Sequence, residues 1–440
     1  SRRNFLKASS AAAAGVSLAT SSVARGAFAG GSDVIKVALI GAGGRGTGAV
    51  SQLMNADKNL KVIAIADAFE YRASQSLKRL QKRYKDQVDV PRDRFFTGLD
   101  AYQKALATDC DLVVIATPPG FRPQQYKAAV EAGKHIFMEK PCCVDAPGYR
   151  TLMEANKLAD QKGLLVRVGL QRRHQPDYKE TIHRIQDGAI GEIAYFRVYW
   201  NGGGIWNRRR EELARILGRT PTEMEYQVYN WYHFCWLSGD NICEQHTHNI
   251  DIANWVMGDK HPVQANGMGG CTARYLGDLK GTGQIFDHHF VEFIYEDGTR
   301  MYSQCRHMRN CFNSVSEHVH GTKGYANASG TIGTCEKEIT WRFRGERVSG
   351  HQQEQTDLVA DLRAGRRGQN EGYYGANSSM TAVLGRIANY SGKVVKWDEL
   401  VTKGTSEFPK ELAWDAPTPV QKDKNGDYPI PMPGVYSPYV

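Results

Sequence analysis

A glycine-rich turn between an apolar strand and a helix constrains this chain more than any other feature. The apolar run 34–40 is typical of a strand buried on both faces, and the G-x-G-x-x-G motif of residues 41–46 follows it directly. A helical pattern comes next, and then a second apolar strand over 61–66 ends at Asp67. Glycines at this spacing let the backbone approach a pyrophosphate at a helix N-terminus. The strand and helix around the motif therefore predict a dinucleotide site rather than an ordinary turn.

The acidic residue at the end of the second strand indicates which dinucleotide is expected. Asp67 can accept hydrogen bonds from a ribose 2′,3′-diol, and its charge would repel a 2′-phosphate. NAD is therefore favoured over NADP as the cofactor.

Three further apolar strands continue this pattern. They cover 111–116, 135–138 and 164–168, and helical stretches separate them. Strands that alternate with helices predict an α/β domain over 34–168 with a doubly wound parallel sheet. Ligands bind at the carboxyl ends of such strands. The predicted cofactor-binding residues are Gly41, Gly43, Gly44, Arg45, Gly46, Asp67, Thr117, Pro118, Glu139 and Lys140.

The pattern changes after residue 168. Longer runs rich in aromatic and β-branched residues predict a second, α+β domain over 169–400 with a large, mostly antiparallel open sheet. Asp297-Gly298 is typical of a hairpin turn within it. Residues 401–440 carry many prolines and aromatics and are expected to form an ordered coil on the surface. The predicted strands are 193–200, 288–296, 299–307, 314–320 and 338–344, and the predicted helices are 356–365 and 378–390.

Several local motifs together resemble those of the Gfo/Idh/MocA superfamily of nicotinamide-dependent sugar and cyclitol oxidoreductases. They are the glycine-rich turn, Thr117-Pro118-Pro119, and Ala132-Gly133-Lys134-His135 running into Glu139-Lys140-Pro141. The resemblance covers roughly residues 34 to 400. It implies that Lys140 lies near the nicotinamide and the reacting hydroxyl group. It also implies a homodimer or homotetramer that assembles through the second sheet.

A second stretch, residues 244–251, matches a family motif in part. His248 and Asp251 agree with it, whereas Glu244 replaces the usual Asp and His246 the usual Gly. On one helix, Glu244 and His248 would share a face, and the carboxylate could hold the tautomer of the histidine and raise its pKa. Alcohol oxidation needs a base for the hydroxyl proton, and Lys140, His248 or a relay of both could provide it. The predicted catalytic residues are Lys140, His248 and Glu244.

Polar and aromatic residues near the domain boundary are candidates for carbohydrate recognition. Polyols are bound by polar groups together with aromatic faces that cover their C–H surfaces. The three arginines 208–210 could bind an anion, but Glu211-Glu212 follows them, so a solvated loop or the start of a helix is favoured. No third ligand with zinc-like spacing accompanies Glu244 and His248, so no metal site is predicted. The predicted substrate-binding residues are Arg172, His174, Trp206, Tyr232 and Asp251.

The first 29 residues have the order of regions found in an export signal. Arg2-Arg3 begins a twin-arginine motif, an uncharged alanine-rich stretch follows, and Ala27-Phe28-Ala29 offers a cleavage site. We therefore expect a twin-arginine (Tat) signal peptide over 1–29 and a periplasmic or otherwise exported protein. This route carries folded proteins, so the nine cysteines are expected to form no disulfides, and most of them are expected to be small core residues.

The net charge of +9 does not argue for nucleic acid. Residues 1–29 contain four basic residues and no acidic one, which leaves 52 basic against 47 acidic residues in the remainder. No groove-like pattern of basic and aromatic residues accompanies them. After removal of the signal peptide, neither a nucleic-acid nor a membrane partner is expected.

These observations favour an exported oxidoreductase that transfers hydride between a sugar, sugar derivative or cyclitol and a tightly bound NAD. Two alternatives stay open at this point. One is an NAD-dependent glycoside hydrolase that oxidises C3 of the sugar transiently. The chain retains the lysine of the Glu-Lys-Pro motif as Lys140, and the family resemblance implies that this lysine favours net redox chemistry instead. The other is a non-catalytic periplasmic sugar-binding protein, against which the intact glycines, Asp67, Lys140 and His248 argue.

Overall fold

The structure is a computed structural model that describes residues 33–437 and residue 439. The predicted signal peptide, residues 1–29, lies outside the described residues. Among the described residues, no helix is both long and apolar enough to cross a membrane. All nine cysteines lie in this part of the chain, and each has a free thiol.

The first sheet has six parallel strands in the order β3-β2-β1-β4-β5-β6. Its central strands are apolar and buried on both faces, which is the environment that their sequences predict. The predicted doubly wound parallel sheet is confirmed. The strands are β1 (Ile35–Ile40), β2 (Leu60–Asp67), β3 (Phe95–Thr97), β4 (Leu112–Ile115), β5 (His135–Met138) and β6 (Val166–Val168).

Helices connect these strands and pack on both faces of the sheet. The first, which begins directly after the glycine-rich turn, presents its N-terminus at the carboxyl edge of the sheet. The sequence patterns do not predict β3, because three residues are too few to show a period. The helices of this part are α1 (Gly44–Ala56), α2 (Glu70–Arg83), α3 (Ala101–Leu106), α4 (Arg122–Glu131) and α5 (Ala146–Gln161).

The second sheet has nine strands in the order β14-β13-β12-β11-β7-β10-β9-β8-β15. All neighbouring strands are antiparallel except β7 and β10, so the predicted open and mostly antiparallel sheet is confirmed. The strands are β7 (Ile193–Gly202), β8 (Gln264–Gly270), β9 (His288–Ile294), β10 (Arg300–His307), β11 (Ser314–Gly321), β12 (Gly324–Asn327), β13 (Thr331–Thr334), β14 (Ile339–Arg342) and β15 (Val395–Lys396).

Helices cover one face of this sheet, where alternate residues of the central strands are buried. Strand β8 escapes prediction because it is rich in glycine, yet a Cβ at Gly267 would lie 2.3 Å from Asn389 on the helix that packs there. The helices are α6 (Pro176–Gln186), α7 (Arg210–Leu217), α8 (Glu223–Tyr229), α9 (Cys235–Ser238), α10 (Asn241–Glu244), α11 (Thr247–Val256), α12 (Gly350–Arg363), α13 (Gly372–Ser391) and α14 (Trp397–Lys403).

A buried ionic cluster joins the two parts of the chain around His174. The imidazole Nδ1 lies 2.7 Å from Asp357 on α12, and Nε2 lies 3.5 Å from Glu371 beside α13. Arg167 on β6 pairs with Glu371 and Asp361. Burial alone would lower the pKa of His174, but its two carboxylate neighbours outweigh it and raise the pKa to about 9.

We expect His174→Gln to remove a pH-dependent part of the stability. Since the pKa of His174 is raised in the folded state, its contribution is complete below about pH 6.5 and is lost as the pH rises through about 9. The wild-type free energy of unfolding should therefore fall over this range by on the order of 2–3 kcal/mol more than that of the variant. Urea unfolding at pH 6 and pH 9.5 measures the difference.

The matched control for this measurement is His183→Gln on α6, because the His183 side chain is 74% exposed. Equal pH dependence in the wild type and in both variants would contradict the assignment.

Candidate active site

A cavity of about 420 Å³ opens at the carboxyl edge of the parallel sheet. It is lined on one side by the glycine-rich turn and Asp67, and on the other by residues of the second part of the chain. The principal lining residues are Gly41, Gly43, Gly44, Arg45, Asp67, Phe69, Arg72, Leu99, Tyr102, Thr117, Pro118, Gln125, Trp206, Arg208, Val228 and Trp231.

The three motif glycines have the three environments that a dinucleotide-binding turn needs. Gly41 has φ +90°, and a Cβ there would lie 2.5 Å from the backbone nitrogen of Thr117. A Cβ at Gly46 would lie 2.0 Å from the Gly41 carbonyl oxygen, so α1 can approach β1 only without a side chain. At Gly43 a Cβ would meet nothing within 4 Å, because this glycine faces the open cavity. The backbone therefore fits a pyrophosphate at the start of α1.

Asp67 lies at the end of β2, where its carboxylate lines the cavity. Its Oδ2 accepts the Ala42 N–H at 2.7 Å and its Oδ1 accepts the Phe69 N–H at 2.9 Å. Burial raises the pKa of this carboxyl group, although the backbone donors and nearby Arg72 oppose the shift. The remaining lone pairs of a carboxylate held in this way are suited to the two hydroxyl groups of a ribose.

Arg45 and Glu139 form the floor of the site. Arg45 Nε donates to Glu139 at the end of β5, and its Nη2 donates to Glu354 on α12 at 2.6 Å. Burial would raise the pKa of Glu139, but three nearby cations, Arg45 foremost, lower it. Of these two predicted cofactor residues, Arg45 lines the cavity. Glu139 does not line it but fixes the Arg45 side chain through their ion pair.

Lys140 and Glu244 meet where the two parts of the chain come together. The Lys140 Nζ lies 3.2 Å from Glu244 Oε1 and also donates to the Glu244 backbone carbonyl. Both side chains are largely buried, at 12% and 16% exposure. The ammonium group is thus fixed by two oxygens of one residue.

This contact corrects the predicted helix geometry. Glu244 and His248 do not share a continuous helix, because α10 ends at Glu244 and α11 begins at Thr247. In an unbroken helix the Glu244 carbonyl would accept the His248 N–H. Lys140 takes that carbonyl instead, and the His248 N–H donates to the Gln245 carbonyl at 3.3 Å.

His248 is buried beside this pair, and its Nδ1 has no hydrogen-bond partner among the described residues. Its ring stacks on Trp200 with a centroid separation of 5.9 Å. The prediction that Glu244 raises the pKa of this histidine is wrong: burial, reinforced by the charges of Lys140 and Arg172, lowers the pKa well below its ordinary value. The imidazole is therefore neutral at pH 7.

Two of the predicted substrate residues lie around this centre. Tyr232 is 1% exposed, and its hydroxyl group has no partner among the described residues. Burial raises the pKa of this phenol well above its ordinary value, and Glu244 lies close enough to raise it further. Arg172 pairs with Glu317 and lies over the ring of Trp200, 5.9 Å from its centroid. The Tyr232 hydroxyl group and His248 Nδ1 are thus buried polar atoms without a partner among the described residues, and a centre with such atoms is suited to a ligand rich in hydroxyl groups.

Sequence patterns do not identify a further polar wall of the site. His307 Nε2 lies 2.6 Å from Gln245 Oε1, and its Nδ1 lies 2.9 Å from Arg274 Nη2. The His307 ring lies 6.0 Å from that of Tyr232. Arg274 and His307 come from a loop and a strand end whose local sequences carry no motif, so only the fold brings them to Gln245.

The structure does not bring the other three predicted substrate residues to this centre. His174 belongs to the ionic cluster that joins the two parts of the chain. Asp251 is 1% exposed, and Arg173 and Ser378 donate to its carboxylate in the interior. Trp206 lines the cavity beside Asp67, where the Arg208 guanidinium lies over its ring. Arg208 is correspondingly half-buried at the cavity, not part of a solvated loop.

Comparison with known proteins agrees with this geometry. Residues 35–170 match the Gfo/Idh/MocA family model, which is described as an oxidoreductase family with an NAD-binding Rossmann fold. An inositol 2-dehydrogenase of Rhizobium meliloti is 26% identical over 292 residues, which cover 66% of this chain and 74% of the relative. A scyllo-inositol 2-dehydrogenase (NAD(+)) of Bacillus subtilis is 25% identical over 264 residues, or 59% of this chain and 60% of the relative.

Solved structures share the fold over most of the chain. An aldose-aldose oxidoreductase from Caulobacter crescentus superposes with a TM-score of 0.62 at 18% identity, covering 82% of this chain and 99% of that one. A scyllo-inositol dehydrogenase from Lactobacillus casei with bound NAD(H) and scyllo-inositol gives 0.61 at 19% identity, covering 83% and 100%. Residues 35–170 therefore match the NAD-binding Rossmann domain of the Gfo/Idh/MocA oxidoreductase family, and most of the chain has the two-domain fold that these structures share.

Proposed function

We propose that this protein is an exported NAD-dependent oxidoreductase that transfers hydride between its cofactor and a hydroxyl or ketone group of a sugar, sugar derivative or cyclitol. One observation carries the proposal. Lys140 and Glu244 form a fixed pair beside the neutral His248, at the edge of the sheet that also holds the cofactor cavity. The inositol dehydrogenases among the relatives support a polyol as the substrate class.

Different residues of the site accept the proton and stabilise the negative charge. Bound NAD would supply the hydride acceptor or donor. His248, which burial and the charge of Lys140 keep neutral, accepts the proton of the reacting hydroxyl group. Lys140 stabilises the negative charge that develops on that oxygen, since its ammonium group is held in place by Glu244. The positive charge of Lys140 also disfavours an imidazolium, so His248 passes the proton on to solvent before the next turnover.

Export bears on how the cofactor is used. Free NAD is scarce outside the cytoplasm, so an exported enzyme must fold around its cofactor and keep it. Such an enzyme can regenerate the cofactor by oxidising one sugar and reducing another, the type of reaction named for the aldose-aldose oxidoreductase that shares its fold. The twin-arginine motif at Arg2-Arg3 supports this route, because it directs folded proteins.

The outer face of the second sheet is suited to a subunit interface in a homodimer or homotetramer. Its side chains include rings that neighbouring strands bring together, such as Tyr195, which stacks on His320 at a centroid separation of 4.4 Å. Met268 on the same face of the sheet is 73% exposed. An apolar and aromatic face of this kind is normally covered by another surface.

Replacement of Lys140 by Met should reduce kcat by roughly 10²- to 10⁴-fold without loss of NAD. It removes charge stabilisation, whereas Lys140, although predicted to bind the cofactor, is not among the residues that line the cavity. Turnover in a sugar and cyclitol screen, followed by NADH fluorescence, and NAD content of the purified protein measure the two effects. Lys127→Met, on the exposed face of α4, is the control. Full turnover in Lys140→Met would refute the assignment.

The pH profile tests the role of His248. A base must be unprotonated to accept a proton, and the pKa of His248 is lowered well below 6.5, so kcat/KM should persist as the pH falls from 7 to 5. His248→Asn should lower kcat at every pH in this range. An acidic limb between pH 6 and 7 that disappears in the variant would show instead that His248 titrates normally.

Asp67→Asn tests the preference for NAD. The amide keeps the size of the side chain but removes the charge, so the Kd for NAD should rise and that for NADP should fall, each by roughly tenfold. Titration of protein fluorescence with each dinucleotide gives both constants. Asp93→Asn, an exposed residue of the same domain, should change neither. An unchanged preference in Asp67→Asn would place the ribose elsewhere.

A further inference from the structure

Two arginines line the cofactor cavity on the side of Asp67, and neither forms an ion pair with any residue in 33–437. Arg72 lies on α2 of the Rossmann domain, whereas Arg208 belongs to the second domain. The next two arginines differ from Arg208 because both form ion pairs. Arg209 pairs with Asp278, and Arg210 pairs with Glu223. Only the first of the three consecutive arginines is directed to the cavity.

The Arg208 guanidinium is held in a fixed position. It lies over the ring of Trp206, 4.0 Å from the centroid, and over that of Tyr229 at 4.9 Å. Its Nη1 donates to the Tyr229 carbonyl at 2.8 Å, and its backbone N–H donates to Asn230 Oδ1 at 2.8 Å. The other donors of this guanidinium have no partner among the described residues. A planar cation that is already ordered loses little entropy when a ligand binds to it.

The charges at this end of the cavity are unbalanced. Burial lowers the pKa of the Arg208 guanidinium, and the neighbouring charge of Arg72 lowers it further. Asp67 is the carboxylate of the cavity lining, and backbone N–H groups already engage both of its oxygens. Two neighbouring cations that form no ion pair among the described residues are stabilised when a ligand with acceptor oxygens and negative charge enters.

Arg208 is part of a larger segment that closes over the cavity. Trp206, Val228 and Trp231 line it together with Arg208, so residues 206–231 form a cover contributed by the second domain. Aromatic contacts join this cover to the Rossmann domain, where Phe69 lies two residues after Asp67 and its ring meets that of Tyr229 at 6.4 Å.

The C-terminal tail holds the cover from outside. The Trp414 ring lies 5.4 Å from that of Phe69, and the Trp414 carbonyl accepts the Thr222 hydroxyl at 2.6 Å. Gln227 Nε2 donates to the Val420 carbonyl at 2.9 Å. The cover is therefore packed between the nucleotide domain and the tail.

We propose that residues 206–231 retain NAD in its cavity, and that Arg208, supported by Arg72, binds the adenosine half of the dinucleotide. The proposal rests on the proposed function, in which the cavity holds NAD beside Asp67. The guanidinium, held against the rings of Trp206 and Tyr229, offers its free donors to the oxygens of the ribose and phosphate. NAD then leaves only when the cover separates from Phe69, so its release is slow.

The test compares release of NAD from the full-length wild type, Arg208→Ala and Arg209→Ala. NAD content after gel filtration is measured by mass spectrometry, and the dissociation rate by displacement of bound NADH followed by fluorescence. Arg208→Ala should release the dinucleotide roughly tenfold faster or more. Arg209→Ala should match the wild type, because its side chain is on the surface.

Three outcomes would overturn the proposal. One is wild-type release from an Arg208→Ala protein whose circular dichroism is unchanged. Another is equally fast release from Arg209→Ala, and the third is loss of NADP affinity alone, which would make Arg208 a ligand of a 2′-phosphate. If Arg208→Ala does not fold, Arg208→Lys keeps the charge but loses the planar stack, and its release should still exceed that of the wild type. Absence of NAD binding in the wild type itself would refute the proposed function instead.

Discussion

The contact between Lys140 and the Glu244 carbonyl links the chemistry of this protein to its architecture. One partner follows the fifth strand of the Rossmann domain, and the other ends a short helix of the second domain. The ammonium group donates to a carbonyl that a continuous helix would use, at the point where the helix is interrupted between Glu244 and Thr247. The same interaction fixes the cation beside Glu244, and His248 lies buried next to this pair with an unpartnered nitrogen among the described residues.

Charge is arranged differently at the two ends of the site. Around Lys140 the nearest carboxylate is engaged, and the histidine is kept neutral by burial, so proton acceptance needs no prior deprotonation. At the other end, two arginines face a cavity whose lining includes one carboxylate, that of Asp67. The first arrangement suits proton transfer at a hydroxyl group, whereas the second suits the retention of an anionic ligand.

The parts of the structure that the sequence predicts well are those that depend on local physics. The buried strands, the glycine-rich turn and Asp67 are decided within about thirty residues, because apolar periodicity and the absence of Cβ atoms act locally. The broken helix at 245–246 depends on an amine about a hundred residues away in the chain, so periodicity alone indicates one continuous helix. The same limit applies to the pKa of His248, because burial reverses the shift that a neighbouring carboxylate would cause.

The three consecutive arginines show that the composition of a local segment does not determine which of its side chains faces the cavity. Adjacent acidic residues favour a solvated segment, and this holds for Arg209, which is exposed and pairs with Asp278. Arg208 points the other way because Trp206, Tyr229 and Asn230 hold both its backbone and its guanidinium. A protein exported with its cofactor gains from such a cover, since NAD lost outside the cytoplasm is not replaced. If the cover retains NAD as proposed, the tail that packs on it contributes to that retention, although it lies far from Lys140 in the sequence.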